Sequence, residues 1–213
     1  MKDNTAIIFL NGRIPKYGIV RNISRKKQYI ICADGAANKL KEYRIKPDII
    51  IGDMDSAKPN TLKYYRKKRV RIMEIKDQNT NDMEKCLMYC IENNLRGIII
   101  FGMTGRRQDH TLNNYSILQR YYKLLNVRVY DNKHEIYFIR NETSFKYKKG
   151  HLISLIPFPR AAGITTKGLK YKLNNETLEL GIREGALNKS VNNKIVIRFR
   201  EGDLIIIKKH FRD

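Results

Sequence analysis

Tryptophan is absent from this 213-residue sequence, and cysteine (3) and proline (5) are scarce. Without Trp, any ring-stacking contact falls to Tyr or Phe. Cys32, Cys86 and Cys90 form no C-x-x-C pair and have no His at metal-ligand spacing, so no zinc site is expected. Cys86 and Cys90, four apart in a helical pattern, read as buried thiols. No apolar run approaches a membrane span, and Ala6–Leu10 is too short for a signal-peptide core, so residence in the cytoplasm and no membrane partner are expected. Acidic residues are few, 21 Asp plus Glu against 43 Lys plus Arg, for a net charge of +22. Such an excess attracts polyanions, whether RNA, DNA or a nucleoside triphosphate, and does not choose among them. It is spread along the chain (Arg25–Lys27, Arg66–Arg69, Lys146–Lys149, Lys208–Lys209) and reads mostly as solvated surface.

What is present is two textures of pattern. Up to about residue 130, short β-rich apolar runs (Ala6–Leu10, Tyr29–Ala33, Asp48–Ile51, Val70–Ile75, Gly97–Phe101, Val127–Tyr130) alternate with amphipathic stretches. Met83, Leu87 and Ile91 recur at helical spacing, as do Leu112, Tyr115, Leu118, Tyr122 and Leu125. Asn81 with Glu84 predicts a capping box, and Asp109 predicts the cap of the next helix. Strands alternating with helices imply a parallel sheet covered on both faces, an α/β Rossmann-like unit over residues 1–132.

From residue 133 to 213 helical periods disappear. Short strands are predicted at His134–Arg140, His151–Pro157, Leu169–Leu173, Thr177–Leu180, Lys194–Arg200 and Asp203–Lys208, separated by turn-like pieces such as Asn174–Asn175. The expectation is a second, all-β domain, a sandwich or barrel.

The scarce carboxylates gather where strands end. Asp34 follows Tyr29–Ala33; Asp53 and Asp55 follow Asp48–Ile51; Asp77 and Asp82 follow Val70–Ile75; Asp109 follows Gly97–Phe101. In an open parallel sheet, ligands bind beyond the carboxyl ends of the strands. Clustered carboxylates repel, so their ionised forms call for a cation, and Mg²⁺ commonly bridges one or two of them to substrate phosphates. Arg106 and Arg107 in the same loops suit phosphate oxygens, and Gly35, Gly52, Gly102 and Gly105 permit close backbone approach. Singly, each segment also reads as a turn, a cap or a charged loop; a lone His110 reads as structural. Their joint placement along one sheet edge outweighs those readings and suits phosphoryl transfer.

Four segments, Ala33-Asp-Gly-Ala-Ala-Asn38, Pro47-Asp-Ile-Ile-Ile-Gly-Asp-Met-Asp-Ser56, Asp77-Gln-Asn-Thr-Asn-Asp82 and Gly102-Met-Thr-Gly-Arg-Arg-Gln-Asp-His-Thr111, resemble the thiamine pyrophosphokinase family in order and approximate spacing. Thr165–Tyr171 and Gly185–Asn188 are similar to its second-domain signatures, so the resemblance spans nearly the whole chain. It implies an α/β domain followed by a β-sandwich, a homodimer with sites at the subunit interface, and transfer of pyrophosphate from ATP to thiamine with Mg²⁺. By motif position, Asp53, Asp55 and Asp82 would form the metal and catalytic cluster together with Arg107. Asp34, Gly35, Asp77, Gln78, Arg106, Asp109 and His110 would serve ATP, with Arg107 and Asp109 touching the triphosphate or holding its loop. Asp55, Asp77, Thr80, Asp82, Thr165, Tyr171 and Asn188 would serve thiamine, Tyr171 as an aromatic wall. Among these carboxylates, Asp82 is expected to take the hydroxyl proton.

The chain departs from the family pattern in two places. Arg106 stands where relatives often have Gly, and Leu187 where they often have Ser. Two other readings are compatible with the residues: a nucleic-acid-binding protein, which the acidic loops disfavour, and a different Mg²⁺-dependent nucleotide kinase or hydrolase on the same scaffold. No G-x-x-x-x-G-K-[ST] segment occurs, which argues against the common P-loop ATPases.

Overall fold

The computed structural model describes residues 4–24, 28–77 and 79–211. The chain divides into two compact units, one up to Asn132 and one over Lys133–Phe211. No described helix is long and apolar enough to cross a membrane.

In the first unit the elements run β1 (Thr5–Phe9), α1 (Tyr17–Ile23), β2 (Tyr29–Ala33), a 3₁₀ turn (Asp34–Ala36), α2 (Ala37–Glu42), β3 (Ile49–Gly52), α3 (Pro59–Lys67), β4 (Arg71–Glu74), α4 (Asp82–Glu92), β5 (Gly97–Phe101), α5 (Gln108–Tyr121) and β6 (Asn126–Tyr130). The strands pair in parallel in the order β4-β3-β2-β1-β5-β6. Both faces are covered, which is why the strands read as unbroken apolar runs instead of alternating ones. Ile7, Phe9, Cys32, Ile50 and Phe101 share one core with α1, α2 and Tyr65 of α3. Their neighbours of opposite parity, Ile8, Ile31, Ile49, Ile51 and Ile100, are just as buried, and α4 packs on β2 and β3. Each such Ile contributes roughly 1.5–3 kcal/mol on burial. Strand order reverses between β1 and β5, so the crevice of the doubly wound sheet opens beyond Phe9 and Phe101.

The second unit is antiparallel. Its strands are β7 (His134–Ile139), β8 (Glu142–Lys146), β9 (Leu152–Lys167), β10 (Glu176–Glu179), β11 (Gly185–Lys189), β12 (Lys194–Arg198) and β13 (Glu201–Lys209). One sheet joins β7, β13 and β9, with β10 and β11 on the other edge of β9. The last residues of β9, Thr165–Lys167, leave it to pair with β12, which pairs with β8. Tyr137, Leu155, Ile164, Leu178, Ile195, Ile197 and Leu204 from these sheets close over one apolar core. This parallel-then-antiparallel architecture is the fold class expected from the two sequence textures.

Several local expectations are corrected. The strand expected to stop at Pro157 continues to Lys167, because the register of β13 shifts between Gly202 and Leu204, where the prolines remove their N–H groups from the ladder. Leu169–Leu173 is not a strand. Gly168 turns the chain at φ +86°, and Leu169 and Leu173 plug the core from a loop. Strands β8 and β11 carry little apolar signal and were not expected. Leu112, assigned to the apolar face of α5, is 70% exposed, whereas Asn114, Ile117 and Leu118 are buried. Lys208, placed in a solvated basic run, instead pairs with Glu135, both side chains about nine-tenths covered or nearly so (13% and 14% exposed). The Arg25–Lys27 run lies outside the described residues.

Candidate active site

A cavity of about 640 Å³ opens beyond the carboxyl ends of the parallel strands. Leu10–Gly12 after β1, Asp53–Ser56 after β3, Asn79–Lys85 leading into α4, and Gly102–Asn114 after β5 supply its walls. Asp53, Asp55, Thr80, Asp82, Arg106, Arg107 and His110, all expected on sequence grounds, line it together.

Asp34 lies behind this wall, fully buried directly after β2. Its Oδ1 accepts from the Gly35 amide, and its Oδ2 has no hydrogen-bond partner. Burial raises its pKa above the usual carboxylate range, the amides of Gly35 and Ser56 oppose this, and the charges of Asp53 and Asp55 add to it. Oxygen atoms of Asp34, Asp53 and Asp55 lie within 4.8 Å of one another, the one such three-residue group among the described residues. The close approach explains Gly52: a Cβ there would sit 2.7 Å from the Asp34 carboxyl carbon. Asn38 staples the two loops, donating to the carbonyls of Gly35 (3.3 Å) and Ser56 (3.1 Å) and accepting from the Lys58 amide (3.1 Å).

Asp82 opens α4 and lines the same cavity, outside that trio. Burial first, then the charge of Asp34, raise its pKa to about 6, and Lys85 pulls the other way. Lys85, one turn on, is only 5% exposed and lines the cavity. Its signal in the sequence was its position three residues after Asp82, on the same helix face.

The capping box at this helix forms by half. Asn81 Oδ1 accepts from the Glu84 amide at 3.0 Å, but the Glu84 carboxylate turns to Arg120 (2.9 Å) and to the Tyr121 hydroxyl (3.0 Å) of α5. Asp77 does not line the cavity. It organises the preceding loop by accepting from the Asn79 amide (2.9 Å) and the Thr80 hydroxyl (2.6 Å), bonds that hold its pKa low, that of Thr80 foremost. Gln78 lies outside the described residues.

After β5, Gly102 adopts φ +76° and leaves no room for a side chain, since a Cβ would fall 2.2 Å from the Leu10 carbonyl oxygen. The loop is tied to the β1 end by Gly12 N–H to Gly102 (2.9 Å) and Arg13 N–H to Thr104 (2.7 Å). Arg106 donates to Asn11 Oδ1 at 2.8 Å, which gives the departure from glycine a defined place at the cavity. Asn11 was missed by sequence reasoning, although Asn-Gly directly after an apolar run is a strong turn signal. Arg107 forks onto Asp109, with Nε 3.1 Å from Oδ1; that pair brings Asp109 down to about 2. Asp109 therefore does not cap α5, which starts at Gln108 after Arg107; it also accepts from the His110 amide within the first turn.

In the second unit Asn188 is buried and fully engaged, accepting from the Tyr171 amide (3.1 Å) and donating to the Tyr171 carbonyl (2.7 Å). It clasps the loop that presents the Tyr171 ring, 61% exposed. Thr165 accepts from the Asn175 amide at 3.2 Å. Leu187 is 70% exposed at φ +55°.

An open parallel sheet with a polar, carboxylate-rich cavity at its switch point, followed by an antiparallel β unit, places the chain among α/β proteins that handle ligands at the strand ends. Residues 20–130 match the thiamin pyrophosphokinase catalytic domain, and residues 133–204 match the thiamin pyrophosphokinase vitamin B1 binding domain. The chain belongs to the thiamin pyrophosphokinase family, and it is an enzyme of the thiamine diphosphokinase type. It is 30% identical over 210 residues to thiamine pyrophosphokinase 1 of Oryza sativa subsp. japonica, covering 83% of this chain and 76% of that protein. The crystal structure of thiamine pyrophosphokinase from Bacillus subtilis superposes with a TM-score of 0.86 at 25% identity, over 97% of this chain and 99% of that one. Yeast thiamin pyrophosphokinase has the same fold, with a TM-score of 0.85 at 22% identity, over 100% of this chain and 88% of that one.

Proposed function

We propose that the chain transfers the pyrophosphoryl group of ATP to the hydroxyl of thiamine, giving thiamine diphosphate and AMP, with Mg²⁺ at the acidic edge. The observation that carries this reading is Asp34: a buried carboxylate oxygen without a partner, grouped with Asp53 and Asp55 in a hard, all-oxygen donor set that fits Mg²⁺. Asp34, Asp53 and Asp55 would hold the ion, and Asp82 faces the same cavity. When bound, the ion neutralises phosphate charge and orients the transferring group.

In the reaction, the thiamine oxygen bonds to the β-phosphorus. The bond from that phosphorus to the α–β bridging oxygen breaks, and AMP leaves with the bridging oxygen. Asp82 takes the hydroxyl proton, its raised pKa near 6 bringing it close to the working range of a general base. Arg106, held by Asn11, and Lys85 offset charge on the phosphates from the two sides of the loop system. Arg107 and Asp109 hold the loop that carries Arg106, and His110 completes the nucleotide side; Asp77 fixes Thr80 there. Thr165, Tyr171 and Asn188 belong to the thiamine side, with Tyr171 as the ring wall.

In this reading residues 1–132 form the ATP- and metal-binding domain and residues 133–213 the thiamine-binding and dimerisation domain of a cytoplasmic homodimer. The test is direct. Purified protein with ATP, Mg²⁺ and thiamine yields AMP and thiamine diphosphate in equal amounts by chromatography. ADP with thiamine monophosphate would change the reaction, and no turnover by folded protein would sink the assignment.

A further inference from the structure

Two asparagines of the cavity wall, Asn81 and Asn114, are joined to each other by a hydrogen bond. Asn114 of α5 is buried; its Nδ2 donates to the Met103 carbonyl at 2.8 Å, and its Oδ1 accepts from Asn81 Nδ2 at 2.9 Å. Asn81 Oδ1 in turn accepts from the Glu84 amide at 3.0 Å. The ends fix every amide orientation, because a backbone N–H only donates and a backbone carbonyl only accepts. The chain Glu84 N–H, Asn81, Asn114, Met103 C=O therefore runs in one direction, and each link needs a side chain with both a donor and an acceptor.

What the chain joins matters more than its energy. Met103 belongs to the loop that leads from β5 to Arg106, and Asn81 immediately precedes Asp82, with Lys85 one turn further. The geometry points to Asn81 and Asn114 as positioning residues that hold the β5 loop and the start of α4 in one register, so that Arg106 meets the phosphates while Asp82 meets the attacking hydroxyl. This rests on the transfer reaction proposed above. Displacements of about 1 Å in such constellations cost on the order of 10²-fold in rate.

Asn81→Ser provides the discriminating test, because serine caps a helix as well as asparagine but has no amide to reach Asn114. Asn114→Leu removes both of that residue's bonds. Wild-type protein is first shown to form thiamine diphosphate; failure there defeats the reaction assignment and not this inference alone. Asn81→Ser is expected to unfold within a few degrees of wild type, lower kcat roughly 10- to 100-fold, and leave KM for ATP and thiamine within about threefold. In the double variant the losses are expected to be strongly sub-additive, since both substitutions break one chain. If Asn81→Ser keeps wild-type kcat, or raises KM with kcat unchanged, the positioning role is overturned. Should Asn114→Leu not fold, the single Asn81→Ser measurement still decides.

Discussion

Glu135 in the second unit and Asp34 in the first, both largely covered from solvent, are met in opposite ways. In the second unit Glu135 meets Lys208, whose ammonium lies 5.5 Å from the Phe145 ring centre and 5.7 Å from that of Tyr147. In the first unit Asp34 keeps an oxygen without a partner, and its nearest charged company is more carboxylate. Glu84 sharpens the contrast within that unit. Two residues from Asp82 on α4, it is answered by Arg120 and Tyr121, while Asp82 is pushed up to about 6. The fold that satisfies Glu84 and Glu135 leaves one oxygen of Asp34 without a partner and the pKa of Asp82 raised, the pattern of perturbed carboxylates that clusters at functional sites.

The largest expected effect breaks that edge. Asp82→Asn should lower kcat by roughly 10²–10⁴-fold, read from thiamine diphosphate formation under saturating ATP and thiamine. A variant with undiminished turnover would remove Asp82 from the chemistry.

Next comes the satisfied carboxylate. Lys208→Ala leaves the partly buried Glu135 without its ammonium and should cost about 2–3 kcal/mol of stability by urea unfolding, between the surface and fully buried cases. A loss under 1 kcal/mol would mean that the pair is no better than a surface ion pair.

The third prediction has the opposite sign. Because folding raises the Asp82 pKa, the folded state holds its proton more tightly than the unfolded chain. The resulting cost is full above about pH 6 and disappears as pH falls toward 4. In metal-free protein, Asp82→Asn should therefore gain about 1–2 kcal/mol at pH 7.5 and almost nothing at pH 4, after allowance for the partial exposure of the group. Equal gains at both pH values would show that repulsion and burial do not act on this carboxylate. Asp34→Asn should behave in the same direction, for the same causes.

The smallest effect tests the corrected helix face. Leu112→Ser should change stability by less than about 0.5 kcal/mol, since the side chain is 70% exposed. A cost above 2 kcal/mol would return Leu112 to a buried interface.

Much of this was legible in the residues. Tyr29–Ala33 and Gly97–Phe101 are strands with the expected bounds, because β-branched apolar runs between turn signals have few other conformations. The strand-end carboxylates were legible for the same reason: once a parallel sheet is inferred, its loops fall on known edges. Asn114 was not legible, because its two side-chain bonds go to Asn81 and Met103, on other segments of the fold. Its burial turned the apolar face of α5 away from Leu112. Lys85 escaped notice and Lys208 was read as solvated, since a lysine in a basic chain reads as surface until its neighbours are known. Strands β8 and β11 escaped because Glu142–Lys146 and Gly185–Lys189 pair through backbone ladders with partners that only the closed sheets supply.

By itself the sequence determined the parallel-then-antiparallel order of elements and which loops carry carboxylate, since local periodicity and turn chemistry are properties of neighbouring residues. Only the tertiary structure decided that Asp34, and not Asp82, stands with Asp53 and Asp55, that Asn11 holds Arg106, and that Glu84 is spent on α5. Those outcomes depend on distances between segments up to 95 residues apart, where a difference of one or two ångströms separates a ligand from a bystander.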